Sequence, residues 1–312
     1  MLDSLDGKMH FSLPSDENGY TGRECPNPDC LGYFKIIVGT GLEGTTDCIC
    51  PYCGYKSDHD RFFTPAQNEY IESLVINYAS AKMLDIFKEF ESKHRAGKSL
   101  ISFKVTGTSE PIRYYQEEEL ETKLTCTNCT LVYSMYGVFA FCPDCGVHNS
   151  EQILSKNLEL AEKEIGLADS SEHELADYLI ADALENVVAS FDGFGRELCR
   201  VYAAHVSNQS KTRSISFQNL AFAQASVLTT FGFDIAAGLA SSDFDAVSRC
   251  FQKRHLLAHK MGVIDDDYIA KANDPGAIKG RKINISKDEV ETLIENIRNL
   301  GKHMLTEMQK LT

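Results

Sequence analysis

Eight of the eleven cysteines fall into four close pairs, and no other feature constrains the fold of this chain as strongly. The first set is Cys25-x4-Cys30 with Cys50-x2-Cys53; the second is Cys126-x2-Cys129 with Cys142-x2-Cys145. A Cys-x2-Cys turn aims two sulfurs at a point about 2.3 Å from each, the zinc–thiolate distance, and two such turns complete a tetrahedron. Gly54 and Gly146 follow the last cysteine of each set, where the missing Cβ lets backbone N–H groups turn toward sulfur. The spacing predicts two structural zinc ions per chain, one on Cys25, Cys30, Cys50 and Cys53, the other on Cys126, Cys129, Cys142 and Cys145. A redox dithiol is the weaker reading, because the pairs occur twice and complement each other. Cys48 is a spare thiol that either replaces Cys50 or packs, and Cys199 reads as a buried thiol on a helix.

Both sets resemble zinc ribbons, over these loops and their strands. Four-cysteine sites are closed and leave no open position for a substrate, so the zinc staples modules too small to hold themselves. A ribbon can also grip a partner protein or a nucleic acid; Lys35, Lys56 and Arg61 give thin support for the latter. The chain carries a formal charge of −14, which eight thiolates and two divalent ions would take to −18. Such a protein does not coat nucleic acid through counterion release, so any contact must be local. Lys253, Arg254, Lys260, Lys279, Arg281 and Lys282 crowd one part of the C-terminal half. Residues 1–20 carry acids and no apolar block, and no stretch reaches the roughly 18 apolar residues of a membrane helix. The expectation is a cytoplasmic protein that does not engage a membrane.

Four regions follow: a polar, poorly ordered start leading into a ribbon (1–63), a connecting helix (64–98), a second β module (99–150) and a helical domain (151–312). Thr64-Pro65-Ala66-Gln67 opens the connecting helix as a capping box, and Tyr70, Ile71, Leu74, Val75, Tyr78, Phe87 and Phe90 fall largely on one face. Ile101, Phe103 and Val105 alternate like a half-buried strand, and Leu131 to Phe141 is rich in strand formers. Helices are expected near 151–166, 172–207, 216–231, 242–261 and 287–310, with a bend or break at Gly193 and Gly195 and a long connection over 263–285. Ser286-Lys287-Asp288-Glu289 is a second capping box. The fold class is mainly α: a helical bundle preceded by small β modules, α+β and multidomain.

Arg254-His255-Leu256-Leu257-Ala258-His259 places a guanidinium and two imidazoles on about one and a half helical turns. Arginine holds phosphate in a fixed fork, and histidine moves protons near neutral pH. Plainer readings stand beside this one: Asp265, Asp266 or Asp267 can pair with Arg254, or His255 and His259 can chelate a metal, although no glutamate nearby on the helix completes a site. Gly39 to Gly44 lacks the lysine of a phosphate loop, and His173, His205 and His303 read as solvated.

Here the chain resembles the HEPN superfamily, whose hallmark is Arg, four to six residues, then His, with a polar residue just after the Arg; His255 fills that slot. The stretch Glu185 to Phe194 is similar to the family's first core helix, and Met261-Gly262-Val263-Ile264-Asp265 is similar to bacterial members. The resemblance covers roughly 150–312. It implies a bundle of four or five helices, a homodimer with two Arg254 side chains facing a shared groove, and metal-independent RNA cleavage by Arg254, His255 and His259, in the setting of a bacterial toxin or antiphage device. The alternative is a non-enzymatic adaptor, or a nucleic-acid- or nucleotide-binding protein, whose ribbons bind a partner and whose helical domain dimerises.

Overall fold

The computed structural model describes residues 3–5, 8–44, 46–96 and 104–311, and the chain divides into two compact units, 1–147 and 148–312. It is a mainly helical α+β protein.

The first unit opens with a hairpin of β1 (Asp3–Leu5) and β2 (Lys8–His10), where the sequence suggested a poorly ordered start. Asp16 then orders the approach to the sheet: its carboxylate accepts from the N–H groups of Asn18 and Tyr20 and from Lys35 Nζ at 2.8 Å. β3 (Tyr20–Glu24) and β4 (Tyr33–Ile37) form an antiparallel ribbon, followed by the short pair β5 (Asp47–Ile49) and β6 (Lys56–Asp58). α1 (Pro65–Ala96) starts as its sequence predicts: Thr64 N–H donates to Gln67 Oε1 and Gln67 N–H to Thr64 Oγ, both at 3.1 Å. β7 (Thr122–Thr125) and β8 (Val132–Met135) complete the strands.

The sequence reading set 1–63 and 99–150 apart, but their strands share one sheet in the order β3-β4-β8-β7, with Lys35 opposite Ser134. The reason is size: two strands of four or five residues cannot cover their own apolar face. Phe34, Ile36, Phe62, Tyr133 and Met135 make one core from both halves. Ile101 and Phe103, the centre of one predicted strand, lie outside the described residues. Val105 is irregular chain whose N–H donates to Glu91 in α1 at 2.9 Å.

The second unit holds α2 (Ser150–Ala168), α3 (His173–Val201), the single turn α4 (Gln209–Thr212), α5 (Leu220–Phe231), α6 (Ser241–Lys260), α7 (Asp266–Ala272) and α8 (Lys287–Gln309). α3 does not break at its glycines. Gly195 serves close packing instead: a Cβ there would sit 2.5 Å from the buried Phe217 ring. Ser286 caps α8 as expected, accepting from Glu289 N–H at 3.2 Å. At the start of α6, Ala240 occupies the cap without a side-chain bond and Asp243 sits in the first turn. The core runs through Leu158, Phe191, Phe194, Val227, Phe251, Ile297 and Met304. About 25 cal/mol per Å² of buried apolar surface makes this stripe of packed faces the main stabilising term.

One ion cluster stands inside this unit. Glu197 of α3 is buried and lies 3.0 Å from His148 Nε2, 2.6 Å from Arg200 Nη2 and 2.8 Å from Arg200 Nε. Burial pushes its carboxyl up, but Arg200 and His148 more than reverse this and hold it at about 2, against an ordinary 4.5. With a pKa lower folded than unfolded, Glu197 stabilises fully above pH 4.5 and loses that contribution as pH falls toward about 2. Glu197→Gln is expected to cost about 2–4 kcal/mol at neutral pH, because two partners lose their buried anion. Thermal melts at neutral pH and near pH ~3 should show the variant's deficit shrinking in acid; an equal deficit at both would overturn the assignment.

Candidate functional site

In the first unit the three Cys-x2-Cys turns are built the same way. The backbone N–H four residues on returns to the first cysteine's carbonyl, Gly54 to Cys50 and Gly146 to Cys142 at 3.0 Å, and Thr130 to Cys126 at 2.9 Å; in the longer Cys25–Cys30 turn Leu31 N–H returns to Asn27 O at 3.0 Å. Each turn then needs one left-handed residue: Leu31 (φ 48°), Gly54 (73°), Thr130 (66°) and Gly146 (73°). Glycine takes that conformation freely; Leu31 and Thr130 are held in it by their turns. The N–H of Tyr55 reaches Cys53, and that of Val147 reaches Cys145.

These turns collect the eight predicted cysteines into two clusters, with the four sulfurs of each within 4.8 Å of one another. Cys25 and Cys53 sulfurs are 3.6 Å apart, Cys30 and Cys50 3.7 Å, Cys126 and Cys145 3.6 Å, and Cys129 and Cys142 3.5 Å. A zinc tetrahedron with bonds of about 2.3 Å sets its sulfurs about 3.8 Å apart, so both clusters are compatible with a zinc ion. The two are tied together, since Ile49 N–H donates to Pro143 O at 2.8 Å and Phe141 N–H to Pro51 O at 2.9 Å. Cys48 stands outside both clusters; burial pushes its thiol up to about 12, opposed by the nearby Arg23. Burial does the same, to about 12, for Cys199 and Cys250.

Of the three cations that hinted at nucleic acid, Lys35 is buried against Asp16 and Lys56 pairs with Asp47 at 2.8 Å, leaving Arg61 exposed. A cavity of about 580 Å³ in this unit is lined by Asp16, Tyr20, Lys35, Tyr115, Glu117 and Lys123. Its Lys35 and Glu117 hold the fold: Glu117 accepts from Gly22 N–H at 2.8 Å and Tyr33 Oη at 2.6 Å.

In the second unit, α6 is anchored by Val247, Cys250, Phe251, Lys253 and Leu256, all buried. Ala258 is exposed, and Lys253, one of the cations that the sequence crowds into this region, is buried. Lys253 Nζ donates to Asn284 O and Glu289, each at 2.7 Å. This leaves Arg254 half-buried and His255 and His259 exposed at the helix's C-terminal end. The two imidazoles lie with ring centroids 4.8 Å apart. Arg254 lies about 140° around the helix from His259, and its Nη1 donates to Gln218 Oε1 at 3.4 Å.

Sequence carried no signal for Gln218. It rides on a loop fixed from α3, where the buried Asp192 accepts from Phe217 N–H at 2.6 Å and Arg196 Nε at 2.9 Å. The helix ends at Met261 (φ 54°) and Gly262 (φ 74°), with Gly262 N–H donating to Leu256 O at 2.9 Å. Asp265, Asp266 and Asp267 do not take Arg254: Asp265 caps α7 through Tyr268 N–H, Asp266 pairs with Lys279 and Asp267 with Lys271. Among the described residues no carboxylate pairs with Arg254, His255 or His259. Val263 bridges to Lys282, which sets the exposed Arg281 and Lys282 beside this helix end. His303, expected to be solvated, is half-buried with Nε2 3.0 Å from Asp234 O. No helix among the described residues is long and apolar enough to cross a membrane.

A scan of protein-family models, a search of curated proteins and a search of solved structures each find no match to this chain.

Proposed function

We propose that residues 148–312 form a metal-independent endoribonuclease of the HEPN type, whose proton-transfer and phosphate-binding groups are Arg254, His255 and His259. The observation that supports this reading is that a helix anchored by five buried residues delivers all three toward its C-terminal end, with no carboxylate among the described residues pairing with any of them. An arginine and two imidazoles that no carboxylate among the described residues claims, beside Arg281 and Lys282, make a local anion site in a chain of charge −14.

The chemistry needs no metal. The ribose 2′-oxygen attacks the adjacent phosphorus, the bond to the 5′-oxygen breaks, and a 2′,3′-cyclic phosphate remains. His259 takes the 2′-hydroxyl proton, and His255 returns a proton to the departing 5′-oxygen. Arg254 steadies charge on the phosphoryl oxygens. The angle between Arg254 and His259 makes one copy a sparse site. A two-fold pair of these units would set a second Arg254 across the cleft and double the donors.

The cysteine clusters, in this reading, hold two zinc ions that are structural, because four thiolates leave no open position. Incubation of the full chain with end-labelled RNA in excess EDTA tests the function. Fragments ending in cyclic phosphate are the expected product; intact RNA with a folded protein would reject the reading in favour of an adaptor.

A further inference from the structure

α1 is a 32-residue helix, about 48 Å long. One side is fixed by the chain that returns along it: Arg113 N–H donates to Ser73 Oγ at 2.9 Å, Glu110 N–H to Ser80 Oγ at 3.0 Å, and Asn77 Nδ2 to Ser109 Oγ at 3.2 Å. Tyr70 and Leu74 near its start are buried, as their periodicity predicts. The opposite side of the helix carries a second apolar row. Ile76 (53% exposed), Met83 (57%), Ile86 (64%), Phe87 (51%) and Phe90 (49%) each keep about half or more of their surface exposed, and Ala79 is exposed with them.

Ile76, Ala79, Met83, Ile86 and Phe90 follow one another at intervals of three, four, three and four residues. That is the seam of a coiled coil over two heptads, a repeat that a helix packed on a globular core has no need to keep. Phe87 widens the seam on one flank. The other flank carries Lys82 and Glu89, one heptad apart and of opposite sign. In a parallel pair Lys82 would meet Phe87 of the second helix, with no charge gained. In an antiparallel pair the same flank faces itself, so Lys82 meets Glu89 twice about the two-fold axis. The exposed seam offers on the order of 500 Å² per copy, so a pair covers about 1,000 Å², where specific association begins.

We infer that α1 docks on α1 of a second copy of this chain as an antiparallel two-helix seam centred between Met83 and Ile86, with Lys82 and Glu89 paired across it. The contact belongs to the first unit and stands whether or not the second unit cleaves RNA or pairs. Lys93, which bonds Glu89 at 2.7 Å within the helix, is exposed and yields to the new partner at little cost.

Sedimentation equilibrium of the full zinc-loaded chain over a wide concentration range reads the contact. Met83→Glu with Ile86→Glu, both at exposed positions, should remove one association step and lower the assembly mass, with circular dichroism unchanged. Lys82→Glu should weaken that step about ten-fold, replacing two attractive pairs by two repulsive ones. Lys82→Glu with Glu89→Lys should restore it. An unchanged mass in the seam variant would overturn the proposal. Loss in the seam variant without restoration by the charge swap would also overturn it, because the occupant would then not be an antiparallel copy.

Discussion

Stripping the metal from this protein with a strong chelator is expected to unfold residues 1–147 while the helices of 148–312 keep their protection against hydrogen exchange. The argument starts from what the first unit's core is made of. Cys25, Cys48, Cys50, Cys126, Cys129 and Cys142 are buried there beside only a few large apolar side chains, among them Phe34, Phe62, Tyr133 and Met135. The sheet strands are four or five residues long and cannot stand alone. A structural zinc supplies roughly 10–16 kcal/mol of binding free energy that appears as folding free energy. That matches or exceeds the about 5–15 kcal/mol by which a whole domain is stable. Because the two clusters are joined through Ile49–Pro143 and Phe141–Pro51, loss of either site should propagate to the other. Cys142→Ala alone should therefore abolish protection in β3, β4, β7 and β8 together. Elemental analysis should find two zinc ions per chain and none lost in a His255→Ala, His259→Ala double variant. Strands that stay protected in the chelated protein, or a metal content well under two after careful purification, would contradict the structural role.

The sequence was most legible where the signal is local. Thr64 with Gln67 and Ser286 with Glu289 bond within three residues, so these caps can be read directly: the first box closes in both directions, and at the second Ser286 accepts from Glu289 N–H while the Glu289 side chain turns to Lys253. The paired cysteines are legible for the same reason, because each turn closes over three to six residues. What stayed hidden is non-local. Pairing of Lys35 with Ser134 joins chain segments a hundred residues apart, and nothing in either strand specifies the other. Gln218 reaches Arg254 only through the fold, and so does the link from Lys253 to Asn284 and Glu289. The apolar pattern of α1 was legible as a helix face, of which Tyr70 and Leu74 are buried while Phe87 and Phe90 stay half exposed. Periodicity reports which face wants cover, and it cannot say whether the cover comes from the same chain.

Replacing Arg254 or His259 by alanine is expected to lower RNA cleavage by at least about 100-fold while moving stability by no more than roughly 1 kcal/mol. The two halves of this expectation come from different observations. His259 is exposed and Arg254 makes one long bond, to Gln218 at 3.4 Å, so the fold loses little with either side chain. A general acid–base group, by contrast, accounts for about 10²–10⁴-fold in rate, and a charge poised on developing phosphoryl oxygens for a comparable amount. His255→Ala should fall between wild type and these variants if its partner imidazole, 4.8 Å away, takes over part of its role. Lys253→Ala is the informative contrast, one residue from Arg254 yet buried against Glu289 and Asn284. It should cost about 3–5 kcal/mol, because an unpaired carboxylate is left behind, and its activity should fall only as the folded fraction falls. Cleavage rates per folded molecule, set beside melting curves for all four variants, separate the cases. If Arg254→Ala and His259→Ala cleave as wild type does, these residues have no catalytic part. If both unfold instead, the segment is a structural element and the absence of partners around it has another cause.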